Sequence, residues 1–194
     1  MAVNVGGKPL ADFSEPIEMM KDCHRRIEHF LEVLREAERR FGNSELEEEG
    51  RHALEASLNY FANFAPRHTA DEEQSLFPRM RYSGDPDARE VTADLERLEN
   101  DHRGCEALHS LVDRVVRSWL ETGRLDDAQR ERLRPALDEL EEIYAAHIQL
   151  EEGKVFAIAV RILKSEEIRE IGEEMRKRRS LASLGHVGAG LSEK

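Results

Sequence analysis

Four histidines and two glutamates carry the chemistry open to this sequence. His68 and Glu72 stand four residues apart, as do His147 and Glu151, while His24 and His102 stand singly on their own apolar segments. Residues four apart share a helix face, with Cβ atoms about 6 Å from each other. Each pair therefore offers one imidazole and one carboxylate to the same layer. A carboxylate buried without a partner costs several kcal/mol, and two that face each other repel until one takes up a proton. Cations between them remove that penalty. Four imidazoles with two bridging carboxylates suit borderline ions such as iron, manganese or zinc. Two ferrous ions, two carboxylates and a hydroxide leave a charge of roughly +1, small enough to bury.

Such a layer needs helices to hold it. Breakers cluster at Gly6, Gly7, Pro9 and Pro16, at Gly42-Asn43-Ser44, at Ser83-Gly84-Asp85-Pro86 and at Thr122 to Asp127. Between them the pattern predicts four long helices at about 15–41, 45–82, 86–122 and 127–164, and a shorter fifth at about 166–179. Ser14 and Asp126 suit helix N-caps, and Asp85-Pro86 reads as a start directly after a stop. Pro66 and Pro135 fall inside predicted helices, where each marks either a kink or a late start. Short connections between long helices favour antiparallel neighbours. The expected fold is all-α: an up-down-up-down four-helix bundle with a short fifth C-terminal helix.

Apolar residues recur at steps of three and four: Ile17, Met20, Ile27, Leu31 and Leu34 on the first helix; Leu95, Leu98, Cys105, Val112, Val116 and Trp119 on the third. The two halves repeat. A shift of 78 lays His24 on His102 and Met20 on Leu98; a shift of 79 lays His68 on His147, Glu72 on Glu151 and Phe77 on Phe156. Chance supplies single His-x-x-x-Glu pairs freely in helices this rich in Glu, and His24/Glu28 and His102/Glu106 also qualify. Six inward polar groups in register across a repeat are a different matter, and they point to a metal site. A ferritin-like site, with Glu-x-x-His on two helices, fits poorly, because Glu99/His102 and Glu106/His109 both lie on the third helix.

Composition narrows the function classes. A length of 194 residues predicts one domain, or one with an appendage: a flexible segment at 1–14, the bundle at 15–180 and a disordered tail at 181–194. With 29 Lys+Arg against 41 Asp+Glu the formal charge is −12, which argues against a nucleic-acid surface. A mean hydropathy of −0.66 without a long apolar run argues against a membrane span. The first residues lack the basic start and apolar stretch of a signal peptide, so the expected location is cytoplasmic. Two cysteines, Cys23 and Cys105, are too few for a disulfide framework.

The chain resembles the hemerythrin-like family of HHE cation-binding domains, bacterial type, over about 20–180. The matching text is Cys23-His24-Arg25-Arg26-Ile27-Glu28, Arg67-His68-Thr69-Ala70-Asp71-Glu72-Glu73 with Leu76-Phe77-Pro78, Asp101-His102-Arg103, and His147-Ile148-Gln149-Leu150-Glu151-Glu152 with Val155-Phe156. That resemblance implies two non-haem iron ions, joined by an oxo or hydroxo group. His24, His68, His102 and His147 would be terminal ligands, and Glu72 and Glu151 would bridge. Oxygen-carrying members have a fifth imidazole four residues past the histidine of the third helix; here that position is Glu106. Binding, sensing or reduction of oxygen, peroxide or nitric oxide is then expected ahead of plain oxygen carriage, with an electron donor or protein partner unnamed. The alternatives are an iron or redox sensor or iron-centre repair protein acting through a partner, and a metal-free helical scaffold.

Around the site, Glu28 and Glu106 are expected either to orient ligand imidazoles and supply protons or to be surface acids. His109 takes the stripe position of Leu31 and lies about 10 Å along the axis from His102, which suits core packing, the lining of an access path or, in a distorted helix, metal binding. Tyr144, one turn before His147, is either a core residue or a hydrogen-bonding group near the metals.

Overall fold

The computed structural model describes the backbone of residues 11–188 and the side chains of 11–180; residues 1–10 and 189–194, where the expected N-terminal segment and tail begin and end, lie outside it. Every regular element among the described residues is helical. α1 (Pro16–Phe41) is unbroken. The second expected helix is divided into α2 (Glu48–Asn63), α3 (Ala65–Asp71), a π-helical turn (Glu72–Leu76) and α4 (Phe77–Tyr82). A short α5 (Pro86–Glu90) precedes α6 (Thr92–Thr122). α7 (Asp127–Leu150), a second π-turn (Glu151–Val155) and α8 (Phe156–Ile162) form the fourth expected helix. α9 (Ser165–Gly188) is longer than the expected 166–179, so the fifth helix is not short.

Local chemistry explains most boundaries. Asp126 caps α7 by accepting from Gln129 N while the Gln129 side chain bonds back to Asp126 N, a full capping box. Asp85 accepts from Asp87 N at the start of α5. Gly123 ends α6 in the left-handed region at φ 72°, which a side chain would strain. Ser14 does not cap α1: its hydroxyl and amide both turn to Asp12, and Glu15 holds the cap position without a side-chain bond. Pro66 marks a new start in the first turn of α3, after a break at Phe64. Pro135 is accommodated inside a continuous α7.

α1 packs on α2 and α7, and α6 packs on α7 and α2, which closes a ring of four around the core; α9 lies against α1 and α3. The buried apolar residues fall into two clusters. One holds Ile27, Leu31, Leu54, Leu58, Cys105, Val112, Trp119, Leu137 and Leu140. The other holds Ile17, Met20, Leu76, Phe77, Leu95, Leu98, Val155 and Phe156. His24, His68, His102 and His147 fall between them in every chain segment. A polar layer is thereby closed above and below by apolar packing, which keeps water out of it.

Candidate metal centre

The two π-turns position the carboxylates. Glu72 and Glu151 are the first residues of the two turns, and Phe77 N and Phe156 N bond to their carbonyls five residues back. A π-turn holds one more residue than an α-turn. Adjacent residues therefore both reach the interior: Leu76 and Phe77 are fully buried, as are Val155 and Phe156. His68 and His147 keep the α-helical spacing to their glutamates from the preceding helices α3 and α7. Tyr60 donates its hydroxyl to the Cys23 carbonyl at 3.1 Å, which ties α2 to α1 one residue from His24.

The six side chains meet. Glu72 Oε1 lies 3.1 Å from His68 Nε2 and 3.9 Å from His24 Nε2, and its Oε2 lies 3.3 Å from His102 Nε2. Glu151 Oε2 lies 2.9 Å from His24 Nε2 and 3.4 Å from His147 Nε2. The His24 and His68 rings are 4.8 Å apart at their centroids, and the His102 and His147 rings 4.7 Å. Two groups of potential ligands result, His24/His68/Glu72/Glu151 and Glu72/His102/His147, with Glu72 in both.

Their burial and hydrogen bonding suit cations. Glu72 and Glu151 are 0% exposed, and both oxygens of each lack a hydrogen-bond partner, as do His24 Nε2 and His68 Nδ1. Orphaned carboxylate oxygens at that depth are strongly unfavourable unless a positive charge sits beside them. The imidazoles respond to the same crowding. Burial opposes a proton on His24, yet Glu151 and Glu72 outweigh it and push the pKa up to about 10. Burial likewise opposes protonation of His102, and Glu72 and Glu73 raise it to about 9. His68 is pulled down to about 4 by its burial, against the pull of Glu72. Burial works against the charged form of Glu72 also, but His68, His102 and His24 hold it well below the usual carboxylate range.

Of the two readings open for the outer acids, the structure supports surface acids. Glu28 and Glu106 are exposed and face away from the layer. The acids that do reach the imidazoles are the neighbours of the buried pair: Glu152 Oε1 is 2.8 Å from His24 Nδ1, and Glu73 Oε1 is 2.8 Å from His102 Nδ1. Asp101 Oδ2 approaches His147 Nδ1 at 3.6 Å. The available signal was the doubled glutamate, Glu72-Glu73 and Glu151-Glu152, repeated in both halves. Cys23 and Cys105 are buried free thiols, with Cys105 in the core. A narrow cavity opens on the four imidazoles and is walled by Ile27, Ala65, Thr69, Tyr144 and Ile148. Tyr144 is thus at the layer, and its hydroxyl lies 2.9 Å from His109 Nε2.

The sequence also matches known proteins. The family pattern of the hemerythrin HHE cation binding domain matches residues 15–159. A protein of Haemophilus influenzae, itself uncharacterized, is 27% identical over 175 residues, covering 88% of this chain and 94% of that protein. His24, His68, Glu72, His102, His147 and Glu151 all fall within the matched span, and the chain belongs to the hemerythrin HHE cation-binding domain family.

Proposed function

We propose that His24, His68, His102 and His147 are terminal ligands, and Glu72 and Glu151 bridging ligands, of two iron ions joined by an oxo or hydroxo group. The donor set also admits manganese or zinc. The observation that carries this reading is the set of four carboxylate oxygens, all buried and unpartnered, encircled by imidazoles from every helix of the ring. The order of the two apolar clusters reverses between successive helices, which supports an up-down-up-down bundle with α9 added outside it. The buried, unpaired Cys23 and Cys105 suit the reducing cytoplasm, and no helix of the described residues is long and apolar enough to cross a membrane.

When bound, such an ion pair supplies electrons for the binding or reduction of oxygen, peroxide or nitric oxide. The protein's own part is positioning. Glu152 and Glu73 accept from the Nδ1 atoms of His24 and His102 and so leave Nε2 of each ring free to ligate. Tyr144 and Thr69 put hydroxyls, and Ile27, Ala65 and Ile148 apolar surface, around the space a small ligand would occupy. A second reading, a metal or redox sensor acting through a partner, is favoured by the attachment of α9 to the turn that carries Glu72: Asp71 is held by Arg178 and Arg179.

Metal analysis of the purified protein should find about two irons per chain, with oxo-to-iron charge-transfer absorption that the Glu72→Ala, Glu151→Ala double variant lacks. Anaerobic reduction followed by separate exposure to oxygen, peroxide and nitric oxide then identifies the ligand. A metal-free preparation that cannot be loaded and melts no lower than the original protein would overturn the reading.

A further inference from the structure

One hydrogen bond separates two cavities. Inside lies the imidazole-lined space with Tyr144 in its wall. Outside, a surface groove between α2 and α6 is lined by Leu58, Phe61, Val112 and His109. His109 Nε2 lies 2.9 Å from the Tyr144 hydroxyl, and its ring rests on Phe61 at 4.7 Å between centroids. The Cys105 thiol, close enough to Tyr144 to feel its hydroxyl, is buried.

We propose that the His109–Tyr144 pair is a gate through which a small uncharged molecule passes from the outer groove to the space around the four imidazoles. This rests on the metal-centre reading for its purpose, though not for its test. The repeat supplies the main argument. At the corresponding positions of the first half stand Leu31, 2% exposed, and Ala65, which fill the interior without any polar group. Packing alone therefore does not require a histidine and a tyrosine here. The substitution of a polar pair for an apolar one occurs at the place where an outer groove and the inner cavity approach each other. A lone neutral hydrogen bond is a weak latch, and one side-chain rotation releases it, whereas interlocked aliphatic groups would have to repack. Apolar groups make up part of each wall, Leu58, Phe61 and Val112 outside and Ile27, Ala65 and Ile148 inside, and the two charged residues of the outer groove, Asp113 and Arg114, are of opposite sign. Burial pulls His109 down to about 4, so it carries no charge to attract an anion. An anion entering such a neck must shed its water without compensation.

The test reads Cys105 in metal-free protein. Its rate of modification by uncharged methyl methanethiosulfonate, and by the anionic sulfonatoethyl reagent, is mapped by peptide mass, with Cys23 as internal comparison. His109→Ala and Tyr144→Phe should raise the Cys105 rate with the uncharged reagent by about tenfold, leave Cys23 unaffected and help the anionic reagent little. His109→Gln, which keeps a hydrogen-bonding group, should stay within about twofold of the original. In iron-loaded protein His109→Ala, which removes no group lining the inner space, should raise nitric oxide association and dissociation rates together, with Kd unchanged. Unaltered Cys105 rates, or equal acceleration of Cys23 and Cys105 by general loosening, would overturn the gate. A protein that takes up no metal would sink the metal-centre reading alone, because the thiol rates still decide this one.

Discussion

Glu152 reaches across the bundle to set Oε1 2.8 Å from Nδ1 of His24, while its neighbour Glu151 sets Oε2 2.9 Å from Nε2 of the same ring. One imidazole is thus hydrogen-bonded at Nδ1 and faced by a carboxylate at Nε2, both from consecutive residues of a single π-turn. The inner contact is where an ion would sit; the outer one aims the ring and raises its basicity. Glu73 does the same for His102 from the other π-turn. Carboxylates in this role contribute about 10–100-fold to metal affinity. Glu152→Gln and Glu73→Gln should each weaken iron or zinc binding by about that factor while leaving helix content intact, as measured by competition with a chelator. Glu28→Gln and Glu106→Gln, being on the exposed face, should leave affinity within about twofold. Equal effects from all four would show that bulk negative charge, not ring orientation, matters.

Proton linkage gives a second prediction. In the metal-free protein Glu151 and Glu72 hold protons on His24 up to about 10, and Glu72 and Glu73 hold them on His102 up to about 9, against an ordinary 6.5. A folded-state pKa raised above the unfolded one stabilises fully below the unfolded value and loses its effect as pH climbs through the folded value. Metal-free protein should therefore melt at falling temperature between pH 6.5 and 10. Ligation requires neutral imidazoles, so loading at pH 7 should expel about two protons per chain from these rings, beyond any lost by a bridging water. Thermal melts across that pH range and dye-monitored proton release on zinc addition check both parts. A flat melting profile in metal-free protein would count against the protonated pair.

The six clustered residues were legible because polar groups on an apolar stripe stand out, and the repeat made each one confirm another. Helix starts at Asp85 and Asp126 were legible for a local reason: each cap is made within three residues. Ser14 misled because Asp12, just as local, competes for its hydrogen bonds. The π-turns escaped because the α-helical period was assumed throughout; the adjacent apolar pairs Leu76-Phe77 and Val155-Phe156 break that period and mark the extra residue. Glu73 and Glu152 escaped for a tertiary reason. Each points off its own helix toward a histidine on another, and spacing within a helix cannot show a partner 29 or 128 residues away.

The attachment of α9 yields a third prediction. Asp71, 0% exposed and next to Glu72, accepts from Arg178 Nη1 at 2.8 Å and Arg179 Nη2 at 2.7 Å, and Arg178 also donates to Ser75 Oγ at 2.6 Å. Burial pushes the Asp71 carboxyl up even against two guanidiniums, so the charge is held at a cost that only α9 offsets. Breaking a buried pair of this kind costs about 3–5 kcal/mol. Asp71→Ala should lie near the lower end, because Arg178 and Arg179 keep partial access to water, and Asp71→Asn should cost about half as much. Denaturant melts measure the loss, and metal release from Asp71→Ala should be faster because the turn bearing Glu72 is loosened. A cost below about 0.5 kcal/mol would mean that α9 is a passive appendage.

Gly172 sets the sign of a fourth. Alanine normally improves a helix over glycine by about 1 kcal/mol. At Gly104, on the exposed face of α6, a Cβ would meet nothing within 4 Å, and Gly104→Ala should show that gain. At Gly172 in α9 a Cβ would stand 1.9 Å from the Phe13 carbonyl oxygen. That atom belongs to backbone and has little room to yield, since Ala11 N is bonded to Asp22 Oδ2 at 2.8 Å and Arg176 lies over the Phe13 ring at 5.2 Å. Gly172→Ala should therefore destabilise, by about 1–3 kcal/mol, as overpacking does. Hydrogen exchange should speed up at residues 11–15 and along α9 in that variant and stay unchanged in Gly104→Ala. If both substitutions stabilise alike, the N-terminal segment does not pack on α9 in solution, and the support that α9 gives the Glu72 turn would have to come from the arginines alone.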